Sequence, residues 1–221
     1  MKKIISLLII MSLIFITTAC NKELKQLPKP ETTTGLRGQL GIDKNINEET
    51  IDQYLNLPDS LYYDMRMLVD VAKYENIGGD SYLSGFIKGF EVIPLPLVVT
   101  VKGLPEEVGE TYQGKTLYTL TEEGKYIANY EESLTYLEYF FPKDKVLFLM
   151  CGGGGYAGMM KNMLVNLGWN QDKIYNVGGY WYYKGNNDIK VKRLVDDKVK
   201  YDFWKVTYHD INFKQFTEIK K

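Results

Sequence analysis

The stretch that most constrains this chain is 146–151, Val-Leu-Phe-Leu-Met-Cys, an apolar run that ends in a cysteine and is followed at once by four glycines. A run that is apolar at every position is what a strand needs when both faces of its sheet are covered. A second apolar stretch, 157–167, has helical spacing and is closed by Gly168. The pattern predicts a strand, a tight loop and a helix in succession. Such a loop brings a thiol to the backbone N–H groups at a helix N-terminus, which favour an anion there.

The rest of the chain repeats the alternation. Asn47 is a candidate N-cap before Ile51, Tyr54 and Leu55 at helical spacing. Strands are predicted over 61–66, 90–93 and 174–177, and a helix over 131–141 that Pro142 ends. Strands alternating with helices argue for an α/β fold, a doubly wound and mainly parallel sheet with helices on both faces. Segments 97–101 and 116–120, around a turn-rich 103–114, are read as an inserted β-hairpin within 97–130. The tail alternates aromatics with Lys and Asp, which predicts a β-rich extension over 184–221. From Ile42 onward there is about one domain of chain, with a core over 47–183.

The N-terminus reads Met1-Lys2-Lys3, an apolar run over 4–16, then Thr17-Thr18-Ala19-Cys20. A basic start, a short apolar segment and small residues describe an export signal over 1–19, too short to span a bilayer. Ala19-Cys20 resembles a bacterial lipobox, with Thr17 standing where such motifs carry Leu, Val or Ile. That resemblance implies lipidation of Cys20 and an extracytoplasmic protein anchored to the bacterial cell membrane; a plain secretory signal is the other reading. The composition of 20–41 then predicts a flexible tether.

Charge excludes one class of partner. The chain has 27 basic and 28 acidic residues, two of the basic ones within the signal, and no basic run interleaved with aromatics. No nucleic-acid partner is expected. There are only two cysteines. With Cys20 lipidated, Cys151 has no disulfide partner in a compartment where disulfides are the usual fate of thiols. It is either a small core hydrophobe or a working thiol, and four glycines behind it do not fill a core.

Rival readings of the loop fail on particular residues. Gly153-Gly154-Gly155-Tyr156-Ala157-Gly158 satisfies G-x-G-x-x-G, but the next strand ends Asn176-Val177-Gly178-Gly179 without an acid for a ribose. No Gly-Lys-Ser/Thr is present for a P-loop. A C-x5-R phosphatase loop requires an arginine where Ala157 stands.

Several segments together resemble the rhodanese-like sulfurtransferase family. Asp64-Met65-Arg66 is similar to its D-x-R. The segment 85–94, Gly-Phe-Ile-Lys-Gly-Phe-Glu-Val-Ile-Pro, resembles its G-H-I-x-G-A-x-x-I-P, with Phe86 in place of His. Cys151 and its loop, with Leu167-Gly168-Trp169 ending the helix, resemble the active-site loop and the helix after it. Asn176-Val177-Gly178-Gly179-Tyr180-Trp181 is similar to x-x-x-G-G-x-x-x-W, with the Trp two places early.

The resemblance implies that Cys151 is the nucleophile, taking sulfane sulfur from a donor as a persulfide and passing it to a thiol acceptor. Gly152, Gly153, Gly154, Gly155 and Tyr156 are then the anion-binding loop, with left-handed glycines turning their N–H groups inward and lowering the thiol pKa. The loop carries no basic side chain, so the expected donor is a persulfide or polysulfide rather than a thiosulfate dianion. Tyr156 either hydrogen-bonds the donor or packs at the helix start. Asp64 and Arg66 are expected to form a structural ion pair tying strand to loop. His209, the sole histidine, is the candidate partner for a Cys-His dyad, far along the chain from Cys151. No metal-ligand spacing is present, and neither metal nor cofactor is implied. Trp181, Tyr182, Tyr183 and Trp204 read as core or rim aromatics. Two other functions remain open: a non-catalytic module that binds a protein partner, and a thiol redox sensor.

Overall fold

The structure, a computed structural model, describes residues 26–33, 41–66, 85–100, 114–190, 192–201 and 208–220. Cys20, the export segment, Trp204 and residues 101–113 of the expected insertion lie outside them. In chain order the elements are β1 (Ser60–Asp64), β2 (Gly85–Ile87), β3 (Glu91–Val92) and the single turn α1 (Leu95–Val98). The hairpin strands β4 (Tyr118–Leu120) and β5 (Tyr126–Ala128) come next, then α2 (Ser133–Phe140), β6 (Val146–Cys151), α3 (Gly155–Asn166) and β7 (Ile174–Gly179). Three strands follow: β8 (Asp188–Lys190), β9 (Lys192–Val195) and β10 (Lys198–Tyr201).

The fold is mixed α/β around a four-stranded sheet in the order β3-β1-β6-β7, and every pairing in it is parallel. Ser60 lies opposite Val146 and Asp64 opposite Met150. On the other side of β6, Leu147 pairs with Ile174, and after an irregularity past Leu149, Cys151 pairs with Gly179. An irregularity at the end of a strand re-aims the residue that follows it, and that residue is the cysteine.

The period of two along each strand divides the core. Leu147, Leu149 and Cys151 face α2 and α3, packing with Leu137, Phe140, Ala157, Met160, Met163 and Leu164. Phe148 and Met150 face the opposite side with Tyr62, Tyr175 and Val177. There the register places Tyr62, Phe148 and Tyr175 side by side on three neighbouring strands. Their rings stack at centroid separations of 4.9 and 5.0 Å, a cross-strand row that adds to the burial of each ring. Each fully buried large side chain contributes roughly 1.5–3 kcal/mol.

α3 ends as its sequence dictates. Gly168 takes φ +97°, and its N–H and that of Trp169 return to the carbonyls of Val165 and Leu164, closing off carbonyls the helix leaves open. Buried Trp169 then donates from Nε1 to the Phe141 carbonyl at 2.6 Å, locking the end of α3 to the end of α2.

The helices α2 and α3 share one face; among the described residues, a 3-10 turn, Ile51–Tyr54, packs on the other with Ile46, Ile87 and Tyr180. Three expectations need correction. That turn replaces the helix expected after Asn47. The Asn47 side chain accepts from Glu49 N and donates to the carbonyls of Asp43 and Lys44, building a turn instead of a cap. Leu97 and Val98 belong to α1 and not to a hairpin strand, since Pro96 sits at the start of a helical turn where its fixed φ fits. The hairpin is β4 with β5, and Val99 joins it only through one bridge to Tyr118.

The third correction concerns the tether. Within 20–41, residues 26–33 lie against the domain: Leu27 packs on the far-face cluster, Pro28 accepts from the Tyr175 hydroxyl at 2.6 Å, and Thr32 bridges Asp43. Buried Asp43 holds the turn beneath, its carboxylate accepting from the backbone N–H groups of Glu31, Asn45 and Ile46. In the tail, β8 pairs with β2, β9 with β10, and Ile211 and Phe213 join the helix-side core.

Candidate active site

Cys151 ends β6 at the carboxyl edge of the parallel sheet, where open α/β sheets place their ligands. Its Sγ accepts a hydrogen bond from Gly154 N at 3.0 Å. Hydrogen bonding from the N–H groups of Ala157 and Gly153 also acts to lower the pKa of the same sulfur. Sulfur, loop and the start of α3 thus form a compact nest of donors.

The glycines of the loop are not equivalent. Only Gly154 takes the left-handed conformation expected of all four, at φ +95°, and that turn directs its own N–H at the sulfur. Gly152 is required for space: a methyl group on it would lie 2.5 Å from the Trp181 ring. Gly155 is the first residue of α3 and faces open space. Tyr156 is half-buried against the helix-side core.

The expected thiolate is not what this geometry favours. Cys151 is 4% exposed, and burial pushes its thiol above the ordinary range; the bonds from Ala157, Gly154 and Gly153 oppose that without cancelling it, and the Asp64 carboxylate adds to the rise. Desolvation of the charged form is the larger effect. The neutral thiol is the resting state.

Asp64 and Arg66 form a buried ion pair, with Arg66 Nη2 2.6 Å from Asp64 Oδ2 and Arg66 Nε 2.8 Å from the same oxygen. Arg66 also donates to the Gly85 carbonyl at 2.7 Å and lies 4.5 Å from the centre of the Tyr180 ring. One guanidinium therefore joins the ends of β1 and β2 and the turn Tyr180–Tyr182. Its charge is spent on Asp64, so it is not a cation for a donor.

His209 is elsewhere. Its Nε2 lies 2.5 Å from Glu91 Oε2 and its ring sits beside Phe140 at the β3 edge, which is no dyad with Cys151. Among the described residues, no group of three His, Cys, Asp or Glu is placed to hold a metal, and no helix is long and apolar enough to cross a membrane.

Two residues touch the loop in ways the sequence did not indicate. Asn176, buried in β7, donates from Nδ2 to the carbonyls of Gly154 and Gly41 and accepts from Gly178 N, so it anchors the underside of the loop. An amide in a strand otherwise apolar is the available signal, because a buried polar group must find partners. Trp181 donates its backbone N–H to the Gly152 carbonyl at 3.1 Å, and its indole lies along Gly152 and Gly153. Gly179, just before it, abuts the Gly152 carbonyl so closely that no side chain fits. No family model matches the chain, and no curated protein and no solved structure matches it either.

Proposed function

We propose that the chain is a lipid-anchored, extracytoplasmic protein of rhodanese-like architecture that carries sulfane sulfur on Cys151. The observation that supports this reading best is the hydrogen bond from Gly154 N to Cys151 Sγ at 3.0 Å, at the start of α3, where Ala157 and Gly153 also act to lower the thiol pKa.

The reaction is two displacements at sulfur. The Cys151 thiolate attacks the outer sulfur of a persulfide donor; the new S–S bond forms as the donor's own S–S bond breaks, and its thiolate leaves with the electron pair. An acceptor thiolate then attacks the outer sulfur of the Cys151 persulfide and restores the Cys151 thiolate. One sulfur moves and no net oxidation occurs. The persulfide is a stronger acid than the thiol and extends one atom further toward the loop, so the N–H nest is better matched to it than to the resting thiol. Incubating the soluble fragment with polysulfide and weighing it intact tests the reading: Cys151 gains one sulfur, and Cys151→Ser does not.

A second reading is favoured by one observation. Burial of Cys151 with its pKa raised suits a non-catalytic module that binds a protein partner. A thiol that takes up no sulfur and alkylates at the rate of global unfolding would establish that alternative.

A further inference from the structure

Asn176 is buried in β7, and both ends of its side-chain amide are used. Nδ2 donates to the carbonyl of Gly154 at 3.1 Å and to the carbonyl of Gly41, while Oδ1 accepts from Gly178 N at 3.1 Å. The reversed amide would set its oxygen against two carbonyls and its NH2 against an N–H, so the orientation is determined. The Gly154 carbonyl also accepts from Gly158 N at 3.0 Å, the first hydrogen bond of α3, so the helix alone already supplies it with a donor. The bond from Asn176 is additional, and what it adds is direction.

Gly154 has little freedom left. Its carbonyl is held by two donors, and a Cβ on it would lie 3.2 Å from Ile42 Cγ1 and 3.4 Å from Gly178 Cα. The φ of +95° that relates this fixed carbonyl to the N–H is thereby set, and the N–H meets Cys151 Sγ at 3.0 Å. Resting on the reading of Cys151 as a sulfur carrier, we propose that Asn176 is the positioning residue of the site, holding Gly154 N–H on the sulfur, and that Gly41 and Ile42 complete the site from the N-terminal segment. Asp43 ties that segment to the same residue, its N–H donating to the Asn176 backbone carbonyl at 2.8 Å. A donor fixed before sulfur arrives needs no rearrangement when the anion forms, so the persulfide gains most from it.

The test is the pH profile of iodoacetamide alkylation at Cys151 in the full-length protein, for wild type, Asn176→Leu and Asn176→Ala, with urea unfolding of each. The charge that acts on this sulfur comes from Asp64, paired with Arg66, and the variants leave both in place. Both variants are expected to move the profile to higher pH and to slow alkylation at neutral pH by about ten-fold, the worth of one hydrogen bond to a charged sulfur. Loss of a merely structural contact acts in the opposite sense: a loosened loop exposes the thiol, brings its pKa down toward the ordinary value and speeds alkylation. Amide exchange in the wild-type protein does not depend on whether a variant folds. The Asn176 NH2 and the Gly154 N–H are expected to exchange at least about a hundred-fold more slowly than exposed amides.

A profile that stays where wild type has it, or alkylation that becomes faster, overturns the positioning role. So does an Asn176 NH2 that exchanges like those of exposed asparagines. Sulfur uptake from polysulfide is followed in parallel. If the profile moves as expected and wild type gains no sulfur, the carrier reading fails and Asn176 still positions a donor for the thiolate; if wild type gains sulfur and the profile does not move, the positioning role alone fails.

Discussion

The backbone N–H of Gly154 points at Cys151 Sγ from 3.0 Å, while burial holds that sulfur as a neutral thiol. The nest is built for a charge that the resting state does not carry. That mismatch is resolved if the charged species is formed when a second sulfur is added, and it makes the ionisation of Cys151 informative.

Because burial raises the Cys151 pKa, alkylation of the folded protein is expected to climb through pH 9 without the plateau an ordinary thiol shows just above about 8.5. The same shift acts on stability. The native state keeps a proton that the unfolded chain loses, so this contribution is whole below the ordinary thiol pKa and is lost as pH rises through the raised one. Urea midpoints across that window should fall for wild type and fall less for Cys151→Ala. Equal slopes for the two would mean that the thiol is not shifted.

Asp64 raises the Cys151 pKa and Arg66 balances Asp64. Asp64→Asn is therefore expected to move the pH profile of Cys151 alkylation to lower pH. Arg66→Leu leaves a buried carboxylate without its cation, which costs about 3–5 kcal/mol and is read as a lowered urea midpoint. A loss below about 1 kcal/mol would place the pair in water.

Gly154 and Gly155 are neighbours with opposite expectations. Gly154→Ala puts a side chain at φ +95° and costs roughly 1–2 kcal/mol. Gly155→Ala meets open space at the first position of α3 and is expected to stabilise by about 0.4–1 kcal/mol. Thermal melts of the two variants should move in opposite directions.

What the sequence disclosed was local. An unbroken apolar run marked β6, helical spacing with Gly168 marked α3, and the short span from Asp64 to Arg66 kept both at the end of one strand. What it hid was decided across the chain. The 3-10 turn after Asn47 arises because the Asn47 side chain is occupied with the backbone of Asp43 and Lys44. Residues 26–33 read as tether because the groups that hold their backbone, the Tyr175 hydroxyl on the Pro28 carbonyl and the Asp43 carboxylate on the Glu31 N–H, come from outside the segment. Trp181 beside Gly152 is a contact between the loop after β6 and the turn after β7, and no periodicity announces it.

The most direct measurement is the intact mass of the soluble fragment after exposure to polysulfide and removal of excess reagent. A gain of one sulfur atom, lost on adding a thiol acceptor and absent from Cys151→Ser, is the expected result. An unchanged mass in wild type would contradict the assignment of Cys151 as a sulfur carrier.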